Sequence, residues 1–159
     1  MNGHRTDDLI AEELPQVALF RPTLVTILIG ANDIVAGSSD DRYREQLRTV
    51  HSRVRADASD AAVYALPQPD WSLSRVAASF GEPAAIAARI EQFNVIAREE
   101  VELAGGTYVD IFPLMREQAK RGMLASDGLH PSAAAYAQWA DALQERLPPP
   151  DRRRARDDV

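Results

Sequence analysis

At 159 residues, with 45% hydrophobic and 26% charged side chains, the chain has the size and composition of one globular domain with a real core. Its net charge of −6, a single lysine (Lys120) and the lack of a basic stripe with interleaved aromatics argue against a nucleic-acid partner. The absence of cysteine excludes disulfides, thiolate metal sites and a cysteine nucleophile, and no apolar run approaches a membrane span.

Residues 6–20 carry Ile10, Leu14 and Val17 at helical spacing, interrupted by Pro15. Residues 24–29, LVTILI, predict a buried strand that turns through Gly30 and Ala31 onto Asn32 and Asp33. Tyr43, Leu47, Val50 and Val54 form an apolar stripe on a charged segment, the mark of an amphipathic helix. A second strand is expected over 61–66, closed by the loop Pro67-Gln68-Pro69-Asp70-Trp71. Ile86, Ile90, Phe93, Ala97 and Val101 predict a long helix ending at Gly105-Gly106. A third strand is expected over 107–111 and a shorter helix over 114–121. Tyr136, Ala140, Leu143 and Leu147 define a final helix, which three prolines at 148–150 stop. The domain is therefore expected over 1–147, with 148–159 a disordered Pro/Arg-rich tail.

Helices alternating with continuously apolar strands argue for an α/β fold, a parallel sheet covered on both faces. Such sheets bind ligands beyond the carboxyl ends of their strands, where Asn32 and the 67–71 loop both fall. Near the other end of the chain stands ASDGLHPSAAAY, residues 125–136, with Asp127 three residues ahead of His130. An imidazole acts as a general base when a carboxylate holds one ring nitrogen, and a tight loop can supply that carboxylate locally. Asn32 at a rigid strand end could give a side-chain N–H to a developing oxyanion. The three residues together supply a charge stabiliser and an oriented base for acyl transfer.

These motifs resemble those of the SGNH (GDSL-type) esterases and lipases. LVTILIGANDI is similar to the family's G-x-N-D block and SDGLHPS to its D-x-x-H block. NGHRTDDL, ahead of the first helix, resembles the glycine block, and the order of all three agrees with the family over residues 2–147. Ala135 stands where relatives often carry glycine. The resemblance implies a three-layer, flavodoxin-like parallel sheet and hydrolysis of a carboxylic ester by a serine esterase. Within it Asp127 and His130 would be the acid and base of the triad. Asn32 and the Gly3 backbone N–H would form the oxyanion hole. It implies a small ester substrate and no metal or organic cofactor.

The departure lies at the front. The family's nucleophile is the serine of a Gly-Asp-Ser block on a first strand upstream of the glycine block. No Gly-Asp-Ser occurs in the 159 residues. The fold is thus expected without its first strand and helix, catalytically inactive or nearly so, and able to self-associate through exposed sheet edges. A misplaced start or a truncated gene is the simplest explanation on this reading. Ser38, Ser39, Ser126 and Ser132 lie near the motifs, but none is predicted on the strand-to-helix elbow that exposes a nucleophile. The polar start MNGHRTDD has no signal-peptide core, so the chain as written is expected in the cytoplasm.

Each residue also has a plainer role to weigh. Asn32 is a good turn residue, Asp33 reads as the acceptor that fixes the turn, and a histidine beside Pro131 often sits on a surface. Gly3 falls in a terminus that could simply fray. Trp71 either lines an acyl or alcohol pocket or belongs to the core. His4 and His51 read as exposed, which disfavours a three-histidine metal site, and Asp110 as a loop anchor. The rival readings are a non-catalytic small-molecule-binding α/β domain and an unrelated doubly wound domain. In the latter Asn32 and His130 would not converge.

Overall fold

The computed structural model describes residues 3–147; the expected 148–159 tail lies outside the described residues. The first helix, α1, runs through three segments without a break: α-helical Thr6–Asp8, π-helical Leu9–Glu13 and α-helical Leu14–Phe20. Pro15 therefore does not end it. The wider turn, closed by the Leu14 N–H on the Leu9 carbonyl, stands just ahead of the residue that has no N–H to give. Strand β1 (Leu24–Ile27) leads through Gly30 into the short helix α2 (Ala31–Val35), then α3 (Asp40–Asp57). Ser39 caps α3 by accepting the Arg42 N–H. Strand β2 (Ala62–Ala65), α4 (Pro83–Leu103), β3 (Thr107–Tyr108), α5 (Phe112–Lys120) and α6 (Ala133–Gln144) complete the order.

The three strands form one parallel sheet in the order β1-β2-β3. Leu24 lies beside Ala62 and Ile27 beside Ala65, while Tyr64 and Ala65 pair with Thr107 and Tyr108. The third strand is shorter than expected, because Ile111 already serves as the N-cap of α5.

Period-two alternation distributes the side chains between two helical layers. Val25, Ile27 and Val63 pack with Leu14, Val50 and Val54 of α1 and α3. Tyr64, Leu66 and Val109 face the opposite way, onto Met115 of α5 and Trp139 of α6. Over β2 and β3 the sheet is thus covered on both sides, as a buried parallel sheet requires. Over β1 it is not. Leu24 and Leu28 remain 40% exposed on the face away from α1 and α3.

Between α3 and α4, the buried Glu100 accepts from Arg44 at 2.7 Å and from Arg48 at 3.0 Å. Burial alone would raise its carboxyl, but the arginine hydrogen bonds outweigh that and hold it below the ordinary range. His51 of α3 is only 5% exposed, which corrects the expectation of a solvent-facing histidine. It stands four residues after Leu47 and three before Val54, so it falls on the flank of their buried stripe. No helix among the described residues is long and apolar enough to cross a membrane.

Candidate active site

Two backbone devices set Asn32 in place. Gly30, at φ 133°, makes the tight exit from β1, and a Cβ there would meet the Tyr43 hydroxyl at 2.7 Å. That hydroxyl donates to the Ile29 carbonyl at 2.7 Å. Burial, with Asp33 nearby, pushes the Tyr43 phenol upward, so it remains a donor at ordinary pH. The same carbonyl receives the Gln68 side-chain amide at 2.6 Å, and Gln68 is itself held by Asn94 through its N–H and its carbonyl. The strand end is braced from two sides before Asn32 appears.

Asn32 and Asp33 then reach back to the start of the described chain. The Asn32 Nδ2 donates to the His4 carbonyl at 2.9 Å, which ties the Gly3–His4 segment to the first turn of α2. An amide nitrogen carries two protons, so one stays available for a second acceptor. Asp33 is 1% exposed and accepts both the N–H and the hydroxyl of Thr6 at 3.0 Å. It was expected to fix its own turn; it instead anchors the start of α1. Gly3 is exposed with φ 87°, and the His4 ring bonds Glu13 at 3.0 Å.

The Asp127–His130 pair is built by a tight loop between α5 and α6. The Ala125 N–H donates to the His130 carbonyl at 2.7 Å and the Ser132 N–H to the Met123 carbonyl at 3.0 Å. Inside that loop Oδ1 of Asp127 accepts the Leu129 and His130 N–H groups at 2.9 and 3.0 Å. Its Oδ2 meets Nδ1 of His130 at 2.6 Å. The Leu129 N–H, the His130 ring and the His130 N–H together lower the Asp127 carboxyl to about 2. An ionised carboxylate only accepts, so Nδ1 must carry the proton, and in the neutral ring Nε2 is left as the free base. The dyad is exposed, at 50% and 64%, so local hydrogen bonds rather than burial hold it.

His130 and Asn32 line one cleft of about 140 Å³ at the carboxyl end of the sheet. Trp71 is both wall and core: it lines the cleft, packs against Ile86 and Ile90, and is 8% exposed. Ser39 and Ser132 are engaged as helix caps, and Asp110 accepts the Phe112 N–H and pairs with Arg98. Among the described residues, no group of three or more His, Asp or Glu side chains is placed to hold a metal ion. The sequence reading missed the bracing pair Gln68 and Asn94, although a glutamine between two prolines after a strand was a signal.

The charge state of the pair has a measurable consequence. Because the folded carboxyl of Asp127 lies below its unfolded value, its stabilising bonds are fully present above pH 4 and are lost as pH falls through about 2. Carbon-detected NMR is expected to give an Asp127 midpoint near pH 2. A midpoint at the ordinary aspartate value would show that the loop does not hold the carboxylate as described.

A profile of the GDSL-like lipase/acylhydrolase family matches residues 1–138. Among solved structures, a lipase/acylhydrolase from Enterococcus faecalis is 21% identical with a TM-score of 0.70, over 91% of this chain and 70% of that one. A phospholipase A1 from Streptomyces albidoflavus is 22% identical with a TM-score of 0.69, over 91% and 77%. A catalytic mutant of an acetylxylan esterase from Geobacillus stearothermophilus is 21% identical with a TM-score of 0.65, over 90% and 67%. At these identities the likeness is one of fold. No curated protein matches the sequence.

Proposed function

The chain belongs to the GDSL-like lipase/acylhydrolase family, and from that membership we propose that its cleft is the acid–base and oxyanion half of a serine ester hydrolase site. The observation that carries this reading is the 2.6 Å contact between Asp127 and His130 beside a cleft that Asn32 shares. In the proposed reaction Nε2 of His130 takes the proton of a serine hydroxyl as that oxygen attacks the ester carbonyl. It then returns the proton to the leaving alkoxide, and a second round with water releases the acid. Asp127 keeps the ring in the required tautomer and steadies the imidazolium. The second Asn32 amide proton and the Gly3 N–H stabilise the oxyanion, the Asn32–His4 bond holding the two donors in one neighbourhood.

The serine is not among residues 1–159 in the family's Gly-Asp-Ser context. We therefore assign no serine-based turnover to this chain by itself. Its solved neighbours include a phospholipase A1 and an acetylxylan esterase, so one fold serves unlike esters and does not choose the substrate. A serine-reactive phosphonate tests the assignment, with expected labelling no greater than that of the heat-denatured chain. Stoichiometric labelling, lost on changing His130 to alanine, would place a nucleophile within residues 1–159 and overturn it.

A further inference from the structure

At the amino end of the sheet, where α4 stops just ahead of β3, the second half of α3 and the last turn of α4 flank a hollow of about 330 Å³. Arg48, His51, Ser52, Arg55, Glu100 and Leu103 line it. Arg48 and Arg55 stand two turns apart on one face of α3, so their long stems reach toward each other over the turn that carries His51 and Ser52. The cleft of Asn32 and His130 lies at the opposite, carboxyl end, so nothing here depends on the ester-hydrolase reading.

The hollow holds more donors than acceptors. Glu100 is fully engaged: Oε1 accepts from Arg44 at 2.7 Å and from Arg48 at 3.2 Å, and Oε2 accepts the Arg48 Nε at 3.0 Å. Arg55 meets no carboxylate among the described residues; it donates to the Ala104 carbonyl at 2.7 Å. A guanidinium has five N–H groups, so both arginines keep several to give. The Ser52 hydroxyl makes no hydrogen bond among the described residues. His51 is only 5% exposed, yet its buried Nδ1 has no partner there either. Buried polar atoms are nearly always paired, so an orphaned imidazole beside two arginines singles this hollow out.

We propose that the hollow binds a phosphate monoester, held by the Arg48 and Arg55 guanidiniums and the Ser52 hydroxyl over the buried His51 ring. A cation would face two arginines. A neutral ligand would leave their charge unanswered. A phosphate monoester brings a charge of about −1.5 to −2 and three oxygens that accept strongly, the complement of surplus donors. A planar carboxylate fits one guanidinium fork, whereas a tetrahedral phosphate presents oxygens to two forks that approach from opposite sides. Liquid water occupies about 30 Å³ per molecule, so the hollow has room for the phosphate and the first atoms of the group it esterifies.

Titration of the full chain with inorganic phosphate, read by the His51 ring and Ser52 amide signals at matched ionic strength, tests the site. Saturable shifts are expected, with acetate at least about tenfold weaker. Arg55→Met should weaken phosphate about tenfold or more. Arg53→Ala, which removes an exposed partner of Asp57 outside the hollow, should change it less than about twofold. Ser52→Asp sets a fixed carboxylate in the hollow at an exposed helical position and should abolish saturation. That variant keeps the test sound if losing the Ala104 bond unfolds Arg55→Met. Glycerol 3-phosphate and phosphatidylcholine vesicles with and without phosphatidic acid then separate a soluble ester from a lipid headgroup. Tighter binding of glycerol 3-phosphate than of phosphate assigns the soluble source. Cosedimentation that requires phosphatidic acid and is lost in Ser52→Asp assigns the lipid one. Shifts that chloride reproduces, a loss in Arg53→Ala equal to that in Arg55→Met, or affinity that Ser52→Asp leaves unchanged would each overturn the site. Phosphate binding with neither ester bound would overturn the monoester.

Discussion

Joined at its N-terminus to a strand–helix–strand unit whose first strand ends in Gly-Asp-Ser, the protein is expected to hydrolyse a short activated ester on the order of 10⁶-fold faster than residues 1–159 alone. The unjoined chain retains a base and an oxyanion donor, and such groups without a nucleophile sustain only weak acceleration over water. In the joined protein, His130→Ala should lower kcat by on the order of 10⁶, as losing the new serine should. The double change should cost no more than either alone, because the two residues act as one unit. Asn32→Ala should cost about 10² to 10³, the usual loss for one oxyanion donor. It would also free the His4 carbonyl, so the effect should be checked against the fold by circular dichroism. Steady-state assays with 4-nitrophenyl butyrate give these numbers directly. A joined protein that labels with phosphonate yet is indifferent to His130→Ala would remove His130 from the chemistry.

The same joined unit should raise the melting temperature by roughly 10 °C or more. Among the described residues strand β1 has one strand partner, β2, so its other edge offers backbone groups that no described strand pairs. Beside that edge runs an apolar groove of about 710 Å³, which Leu14, Val17, Phe20, Val25 and Ile27 help to line. Phe20 is 79% exposed, and Leu24 and Leu28 are each 40% exposed on the uncovered face. Burying what these three expose, together with the groove walls, is worth on the order of 4 kcal/mol. For a protein of this length that corresponds to about 8–16 °C. Residues 1–159 alone should meanwhile associate edge to edge, seen as a concentration-dependent rise in sedimentation coefficient. Thr26→Lys, an exposed β1 substitution, should reduce that association by charging the edge. A chain that stays monomeric at high concentration and melts no higher when joined would show that the β1 edge needs no cover.

The alternation of helices and strands was legible in the sequence because hydrophobic period is a local property. A stripe such as Tyr43, Leu47, Val50 and Val54 states its helix before any tertiary contact forms. The Asp127–His130 pair was legible for the same reason, since three residues in a tight loop bring the two side chains together whatever the rest does. His51 was misread although its signal was present, for the flank of a stripe is buried when a second helix packs beside the first.

The long-range partners came from the packing of distant segments. Asn32 meets the His4 carbonyl across 28 positions, Thr6 meets Asp33 across 27, and Gln68 meets the Ile29 carbonyl across 39. No pattern in a window of a dozen residues encodes such partners. They follow from parallel strands bringing their carboxyl ends to one edge, where polar groups from distant segments must find one another or remain unsatisfied. Residue types and short spacings set which chemical groups were available; the parallel sheet placed those groups relative to one another, because contact across tens of residues depends on topology rather than on local spacing.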